Sequence, residues 1–193
     1  MIRKAAQLIR DGAVVAYPTD TLYGLAVDPR NLDAVRRLYA LKGRPESSAL
    51  TLIAADAAQA GDAGDFDPTA TRLAERWWPG PLTIVVTARA LLAPTILAGG
   101  TTVGIRVPDH AVAVALAREV QFCVTATSAN RSGEPAVSTP DAVLDALPDV
   151  DAIVDAGPSR GGPPSTIVGV GDRHVALIRA GAVPWERVLE SLK

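Results

Sequence analysis

Residues 13–24 read Ala-Val-Val-Ala-Tyr-Pro-Thr-Asp-Thr-Leu-Tyr-Gly. Several later segments are alike in that a short apolar run is followed by a loop rich in polar residues, Gly and Pro. Its first five residues form a short apolar run, which predicts a β-strand because β-branched and aromatic residues favour strands. Pro18 ends the run, and a polar turn with two threonines and an aspartate follows at once. Such a turn is either an ordinary hydrogen-bonded turn or part of a binding site, since ligand sites commonly lie at strand ends.

Strands and helices alternate irregularly along the rest of the chain. The sequence predicts further strands at residues 50–55, 83–87, 103–107, 122–127, 152–155, 165–170 and 175–179, and helices at 31–43, 69–78 and 110–120 and from 139 and 184 onward. Asn31, Asp109 and Thr139 are the expected N-caps, because their side chains accept hydrogen bonds from the first helical N–H groups. Residues 56–67, rich in Ala, Gly and Asp, are expected to form a loose surface connection. The pattern predicts one α/β domain with a mixed sheet.

Composition limits the class of protein. The chain has 193 residues, of which 48% are hydrophobic and 21% are charged, as in an ordinary globular domain. No stretch approaches the roughly 20 apolar residues of a transmembrane helix. Arg10 and Asp11 interrupt the N-terminal segment before the apolar part of a signal peptide could form. The sequence therefore predicts a cytoplasmic protein that does not act at a membrane.

Cysteine and histidine are scarce, and the net charge is slightly negative. We expect Cys123, the single cysteine, to be a buried core residue. Two histidines, His110 and His174, are too few for a structural zinc site. The net charge is −2, whereas proteins that hold nucleic acid by themselves are usually more basic. We therefore expect RNA to bind at most weakly.

Four cationic side chains lie in loops or at strand ends rich in Gly, Pro, Ser and Thr: Lys42, Arg44, Arg106 and Arg179. A lysine beside an arginine suits a polyphosphate, although cations also stabilise the C-terminus of a helix. Arg106 lies within an apolar strand, so it either faces solvent at a sheet edge or pairs with an anion. Ser128 has no base partner in sequence that would make it a nucleophile. Because phosphate-binding and nucleophile-elbow motifs are absent, these residues indicate an anion site, suited to a nucleotide, without covalent catalysis.

Seven motifs, in order between residues 18 and 181, resemble those of the YrdC-like threonylcarbamoyl-AMP synthase family. They are Pro-Thr-Asp-Thr-Leu-Tyr-Gly at 18–24, Lys-Gly-Arg-Pro at 42–45, Trp-Pro-Gly-Pro-Leu-Thr at 78–83, Arg-Val-Pro-Asp-His at 106–110, Thr-Ser-Ala-Asn-Arg-Ser-Gly at 127–133, Pro-Ser-Thr at 164–166 and Ile-Arg-Ala-Gly at 178–181. The resemblance implies an α/β fold with a twisted, largely open mixed sheet flanked by helices. It also implies a single catalytic domain over residues 1–193, with no additional C-terminal domain.

The resemblance further implies a nucleotidyltransferase that converts L-threonine, bicarbonate or CO₂, and ATP into L-threonylcarbamoyladenylate and pyrophosphate. Mg²⁺ would be carried on the ATP phosphates, with no metal site of the protein's own. A downstream enzyme would then transfer the threonylcarbamoyl group to an adenosine of tRNA. The implied catalytic residues are Lys42, Arg44, Ser128 and Asn130; the ATP-binding residues are these four with Ser48, Thr102, Ala136 and Arg179; and the threonine-binding residues are Thr21, Arg106, Ala126 and Ser165.

Two positions depart from the family pattern, and two alternative functions stay open. Ala49 stands where many relatives have proline, and Ile53 where some have a histidine near threonine, so the fine geometry of the threonine pocket is expected to differ. One alternative is a related carbamoyl-handling enzyme on the same scaffold, as in hydrogenase maturation proteins. The other is a noncatalytic RNA-binding module. Three Trp, three Tyr and two Phe argue against the latter, because base-stacking platforms need aromatic side chains.

Overall fold

Eleven strands and seven α-helices lie in residues 1–89, 92–171 and 174–193, the part of the chain that this computed structural model describes. The strands are β1 Val15–Pro18, β2 Tyr23–Ala26, β3 Thr51–Ile53, β4 Gly64–Asp65, β5 Leu82–Ala88, β6 Thr102–Arg106, β7 Val124–Thr125, β8 Thr127–Ser128, β9 Ala152–Ile153, β10 Thr166–Gly171 and β11 His174–Arg179. The helices are α1 Ile2–Arg10, α2 Leu32–Lys42, α3 Ala57–Ala63, α4 Pro68–Trp77, α5 Ala111–Val120, α6 Pro140–Ala146 and α7 Trp185–Glu190. None of these helices is long and apolar enough to cross a bilayer.

The described strands form two mixed, open sheets. The smaller sheet has the order β8-β2-β1-β9, and the larger has the order β11-β10-β5-β6-β3-β7 with β4 beside β5. Both sheets contain parallel and antiparallel pairs: β1 pairs parallel with β9 and antiparallel with β2, and β5 pairs parallel with β10 and antiparallel with β6. The predicted mixed, open α/β fold is confirmed, with the strands divided between two sheets.

Ala126 marks the point where the chain passes from the larger sheet to the smaller one. The sequence predicts a single strand over residues 122–127, and this is wrong, because β7 pairs with β3 while β8 pairs with β2. Ala126 itself is held by Thr51, whose carbonyl accepts from the Ala126 N–H at 2.8 Å and whose hydroxyl donates to the Ala126 carbonyl at 2.7 Å. The Thr125 hydroxyl accepts from the Val27 N–H at 2.9 Å. One backbone bond and two threonine side-chain bonds thus hold the chain where the sheets diverge.

Two apolar clusters pack against the sheets. One joins α1 and α5 to β1 and β7, and the other joins α2, α4 and the central strands of the larger sheet. Their fully buried members include Ile9, Val15, Leu38, Leu73, Ile84 and Leu116. Because these side chains fix the strands, the loops at the strand ends are presented on a rigid framework.

Helix termini show why some boundaries follow from sequence. The Asn31 side chain accepts from the N–H groups of Asp33 and Ala34, and Thr139 accepts from Ala142, so both predicted N-caps are confirmed. Gly43 ends α2 with a φ of +59°, a left-handed conformation that glycine adopts without the Cβ penalty. The chain turns there, directly between two of the candidate site residues.

Two further predictions about local structure are wrong. Residues 56–67 are not a loose connection, because α3 and β4 lie within them. The Asp56 side chain caps α3 by accepting from the Gln59 N–H, and alanines favour the helix. Asp109 does not cap α5: the N-cap is His110, which makes no side-chain capping bond. The Asp109 carboxylate instead lies 3.7 Å from Arg160.

Candidate active site

A cavity of about 380 Å³ lies where the two sheets diverge. Its walls come from both sheets: from β1, β2 and the turn between them, from β3 and β6, from the segment around β8, and from the residues leading into β10. Polar side chains dominate several of these walls. They include Thr19, Thr21, Thr51, Thr83, Thr127, Ser128, Asn130 and Ser165.

Lys42 is buried behind the wall of this cavity and is bonded to the turn that follows β8. Its Nζ lies 2.5 Å from the Ser128 carbonyl oxygen, 2.6 Å from the Asn130 carbonyl oxygen and 3.3 Å from Asn130 Oδ1. The residue is only 2% exposed. Burial, and to a lesser degree the charge of Arg44, lowers the pKa of Lys42 to about 8. These three acceptors tie Lys42 to the turn, and Lys42 is not among the residues that line the cavity.

The turn after β8 is a chain of short hydrogen bonds. The Ser128 hydroxyl donates to Asn130 Oδ1, and Asn130 Nδ2 donates to the Glu134 carbonyl at 2.5 Å. Ser128, Asn130 and Glu134 all line the cavity. Since Asn130 is itself held by Lys42, its side-chain orientation is set by the protein before any ligand arrives.

Arg44, which follows Gly43 in the chain, also lines the cavity. Its Nη2 donates to the Ala49 carbonyl at 2.9 Å. Its Nε is shielded from solvent yet has no hydrogen-bond partner among the described residues. A guanidinium with an unpaired donor is suited to a phosphate or carboxylate, because its fork matches the geometry of those anions.

Arg106 ends β6, and its guanidinium forms part of the cavity wall. Its Nη1 donates to Asp20 Oδ1 at 2.9 Å, and the two side chains are 7% and 5% exposed. Of the two arrangements considered from sequence, pairing with an anion is therefore the one present, and the anion is a residue of the chain itself. Asp20 is not among the residues that line the cavity.

Ser165 connects the remaining cation to the larger sheet. Its hydroxyl lies 2.8 Å from the Thr83 hydroxyl and 3.2 Å from Arg179 Nη2, and Arg179 Nη2 also donates to the Ser165 carbonyl at 2.7 Å. Burial, followed by the charge of Arg106, lowers the pKa of Arg179. Two guanidinium groups close enough to repel make this wall attractive to an anion.

The structure brings most of the predicted site residues together. Lining the cavity are Thr21, Arg44, Arg106, Ala126, Ser128, Asn130, Ala136, Ser165 and Arg179, with Lys42 directly behind. Ser48 and Thr102 do not line it. The Ser48 carbonyl accepts from the Tyr39 hydroxyl at 2.8 Å. Thr102 begins β6 and so lies roughly 13 Å along the strand from Arg106.

Sequence reasoning missed two carboxylates that bear on the site. Asp20 pairs with Arg106, and Glu134 is the one carboxylate among the lining residues. A signal for Asp20 was present, because an arginine in an apolar strand needs an anion, and an aspartate stands between the two threonines of the first motif. Nothing in the sequence alone distinguished Glu134 from a solvated surface residue.

Comparison with known proteins shows the family of this chain. Residues 7–181 match the family model Sua5/YciO/YrdC, whose description is "Telomere recombination". The threonylcarbamoyl-AMP synthase of Bacillus subtilis (strain 168) is 40% identical over 190 residues, which cover 97% of this chain and 55% of that protein. The threonylcarbamoyl-AMP synthase of Pyrococcus abyssi (strain GE5 / Orsay) is 36% identical over 190 residues, covering 97% of this chain and 56% of that protein. The chain thus spans about half the length of these curated relatives.

A solved structure shares the architecture. The crystal structure of P. abyssi Sua5 complexed with L-threonine superposes with a TM-score of 0.93 at 34% identity, covering 98% of this chain and 56% of that chain. The match therefore extends over nearly the whole chain, including both sheets. On the family-model match and on these identities, the chain belongs to the Sua5/YciO/YrdC family.

Proposed function

We propose that this chain synthesises threonylcarbamoyl-AMP from L-threonine, bicarbonate or CO₂, and ATP, with release of pyrophosphate. The observation that supports this most strongly is that one cavity is lined by two groups of cationic and polar side chains. Arg44 and the Ser128–Asn130 turn form the first, and Arg106 with Arg179 forms the second. A reaction between two anions needs both held in one place with their charges offset, which this arrangement supplies. The names of the relatives agree with this reaction.

The nucleotide belongs, in this proposal, to the first region. Arg44 would bond the phosphates through the donors that the protein leaves unpaired. Ser128 and Asn130 would supply neutral donors and acceptors from a turn that Lys42 holds in place. Arg179, which lies between the two regions, and Ala136 would complete the ATP site, since both line the cavity.

Threonine belongs to the second region. Arg106 would bond the substrate carboxylate, because its guanidinium faces the cavity and suits a bidentate anion. Thr21, Ala126 and Ser165 would surround the rest of the amino acid. The Thr21 hydroxyl already bonds the Thr19 hydroxyl at 3.1 Å, so its position is defined without the substrate.

The proposed chemistry has two bond-forming steps. The threonine amine adds to CO₂, or to bicarbonate with loss of water, and gives a carbamate. A carbamate oxygen then attacks the α-phosphorus of ATP, and the bond to the β-phosphate bridging oxygen breaks as pyrophosphate leaves with the electron pair. The chain's own contribution is alignment of the two reactants and neutralisation of their charge by Arg44, Arg106 and Arg179.

Mg²⁺ fits the cavity as a companion of ATP. Within the described residues, no group of three or more His, Cys, Asp or Glu could hold a metal ion alone. Glu134 does line the cavity. Mg²⁺ commonly binds through one or two carboxylates together with substrate phosphates and water, so Glu134 is the residue that would hold it. The ion would supply further neutralisation of the phosphate charge.

The product would serve a separate enzyme that transfers the threonylcarbamoyl group to an adenosine of tRNA. We place this activity in the cytoplasm, as the sequence predicts. The net charge of −2 gives no reason for strong tRNA binding, because such binding depends on neutralising phosphates. We therefore expect tRNA to be unnecessary for pyrophosphate release.

Pyrophosphate release with one substrate omitted at a time tests this function. We expect release to require threonine, bicarbonate and ATP together, with or without tRNA. Release supported by carbamoyl phosphate in place of threonine and bicarbonate would favour the carbamoyl-handling alternative. No release under any condition, with tight salt-resistant tRNA binding, would favour the RNA-binding alternative.

A further inference from the structure

We infer that Asp20 is a positioning residue for the amino-acid substrate: it holds one side of the Arg106 guanidinium so that the remaining donors face the cavity. This inference rests on the proposed function, because it assigns Arg106 to the carboxylate of threonine. It adds a residue that does not touch the substrate and acts through another side chain.

In the part of the chain that the structure describes, Arg106 bonds Asp20 with one of its donors and leaves the others free for the substrate. Asp20 takes the Nη1 donor at 2.9 Å, and the described residues provide no other hydrogen bond to this guanidinium. Guanidinium donors are fixed in one plane, so holding Nη1 on one side sets the direction of the donors on the other. Arg106 lines the cavity and Asp20 does not. The free edge of the fork therefore faces the cavity, and Asp20 lies behind it.

Asp20 is itself held in a closed turn. The Thr19 hydroxyl donates to the Leu22 carbonyl at 2.7 Å, and Thr19 Oγ1 accepts from the N–H groups of Thr21 and Leu22, each at 3.2 Å. Asp20 is the second residue of this four-residue turn, and its side chain is 5% exposed. A carboxylate fixed in this way can orient a partner with little loss of conformational entropy on binding.

A competing interpretation predicts an effect of opposite sign. If Asp20 occupied the place of the substrate carboxylate, threonine would have to displace it, and removing its charge would tighten threonine binding. The position of Asp20 behind the guanidinium favours positioning, so removing its charge should weaken threonine binding. The direction of the change in the threonine Kd therefore separates the two.

The test is equilibrium binding of L-threonine and of ATP to the whole chain by calorimetry, with wild type compared with Asp20→Asn. We expect the threonine Kd to rise roughly 10-fold, within the range for residues coupled in one ion-pair network. The ATP Kd should not change. The matched control is Asp65→Asn, which removes the charge of the exposed Asp65–Arg89 pair away from the cavity and should change neither Kd.

A double variant provides a readout that a structural role would not produce. Because Asp20 acts through Arg106, adding Asp20→Asn to Arg106→Gln should not weaken threonine binding beyond the effect of Arg106→Gln alone. A further loss in the double variant would contradict the inference. If Asp20→Asn does not fold, Asp20→Glu keeps the charge but shifts it by one methylene, and it should still raise the threonine Kd selectively.

The outcomes distinguish the inference from the function beneath it. Absence of threonine binding to the wild-type chain would overturn both together. Normal threonine binding to wild type with an equal or lower Kd in Asp20→Asn would overturn the inference alone. Parallel weakening of threonine and ATP would also overturn it, since the effect would then be general to the cavity.

Discussion

Replacing Lys42 with methionine removes the ammonium group that fixes the turn after β8. The structure gives Nζ two backbone carbonyl acceptors and Asn130 Oδ1, all within 3.3 Å. Methionine is similar in length but offers no donor, so Ser128 and Asn130 should lose their fixed orientation. We expect the rate of pyrophosphate release to fall by about 10²–10³, the cost of losing a preorganised polar group at a reacting centre.

The same substitution should change the free energy of unfolding much less. Two carbonyl groups lose their partner, at about 1–3 kcal/mol each. Against this, burial that lowers the Lys42 pKa from 10.5 to about 8 corresponds to about 3 kcal/mol acting against the charged form in the folded state. These opposing contributions leave a net destabilisation of at most about 3 kcal/mol. The loss of activity should therefore occur in a folded protein.

Steady-state pyrophosphate release and urea unfolding, measured on the same preparations, separate the two effects. Lys4→Met is the matched control, since Lys4 is exposed on α1, and it should alter neither quantity. Turnover of Lys42→Met within a few-fold of wild type would refute the reasoning. So would a midpoint of unfolding so low that the variant is already unfolded in the assay.

Four further predictions concern Arg106, Lys42 and Gly181. Arg106→Lys should raise the apparent KM for threonine and leave that for ATP nearly unchanged, because lysine cannot form the guanidinium fork; a rise for ATP alone would assign Arg106 to the phosphates. ATP affinity should fall as the pH rises through about 8, the Lys42 pKa, because the neutral amine holds the turn less well. The free energy of unfolding should rise between pH 8 and 10.5, because in that range the unfolded chain binds the Lys42 proton more tightly than the folded chain does. Lys42→Met should show neither pH trend, as measured by ATP-binding and urea-unfolding titrations. Gly181→Ala should reduce both stability and activity, because the added Cβ would lie 2.3 Å from the Pro164 carbonyl oxygen, beside Ser165. The control is Gly61→Ala in α3, whose Cβ would meet nothing within 4 Å and which should be neutral or stabilising. Equal melting temperatures for the two variants would contradict this prediction.

The sequence predicts the helices well where a local chemical signal marks their ends. Asn31, Gly43 and Thr139 act within a few residues of themselves, through capping bonds or a left-handed φ, so their effects can be inferred without the fold. Asp109 shows the limit of this inference. Its side chain lies near Arg160, which is far away in sequence, and does not cap α5.

Strand boundaries and sheet membership depend on distant residues, and the sequence predicts them less well. Residues 122–127 have the composition of one strand, but Thr51 captures Ala126 and divides them between two sheets. The cavity is lined by residues from both of these sheets. No local pattern indicates it, because the bonds that cause it join positions about 75 residues apart.

The candidate site shows the same division. The types of residue in the loops predict an anion site, and most of the residues that the motif resemblance implies for it line one cavity. The roles within the site required the structure. Only the structure shows that Lys42 is bonded to Ser128 and Asn130, and that Arg106 pairs with Asp20.

Mass spectrometry of the reaction product, made with ¹³C-bicarbonate, tests the proposed reaction most directly. Wild-type chain, L-threonine, ATP and Mg²⁺ should yield a compound with the mass of threonylcarbamoyl-AMP, heavier by the mass of one carbon-13 label, in step with the pyrophosphate released. The label should be absent when unlabelled bicarbonate is used or threonine is omitted. Formation of ADP, or release of pyrophosphate with an adenylate that carries no label from bicarbonate, would contradict the proposed reaction.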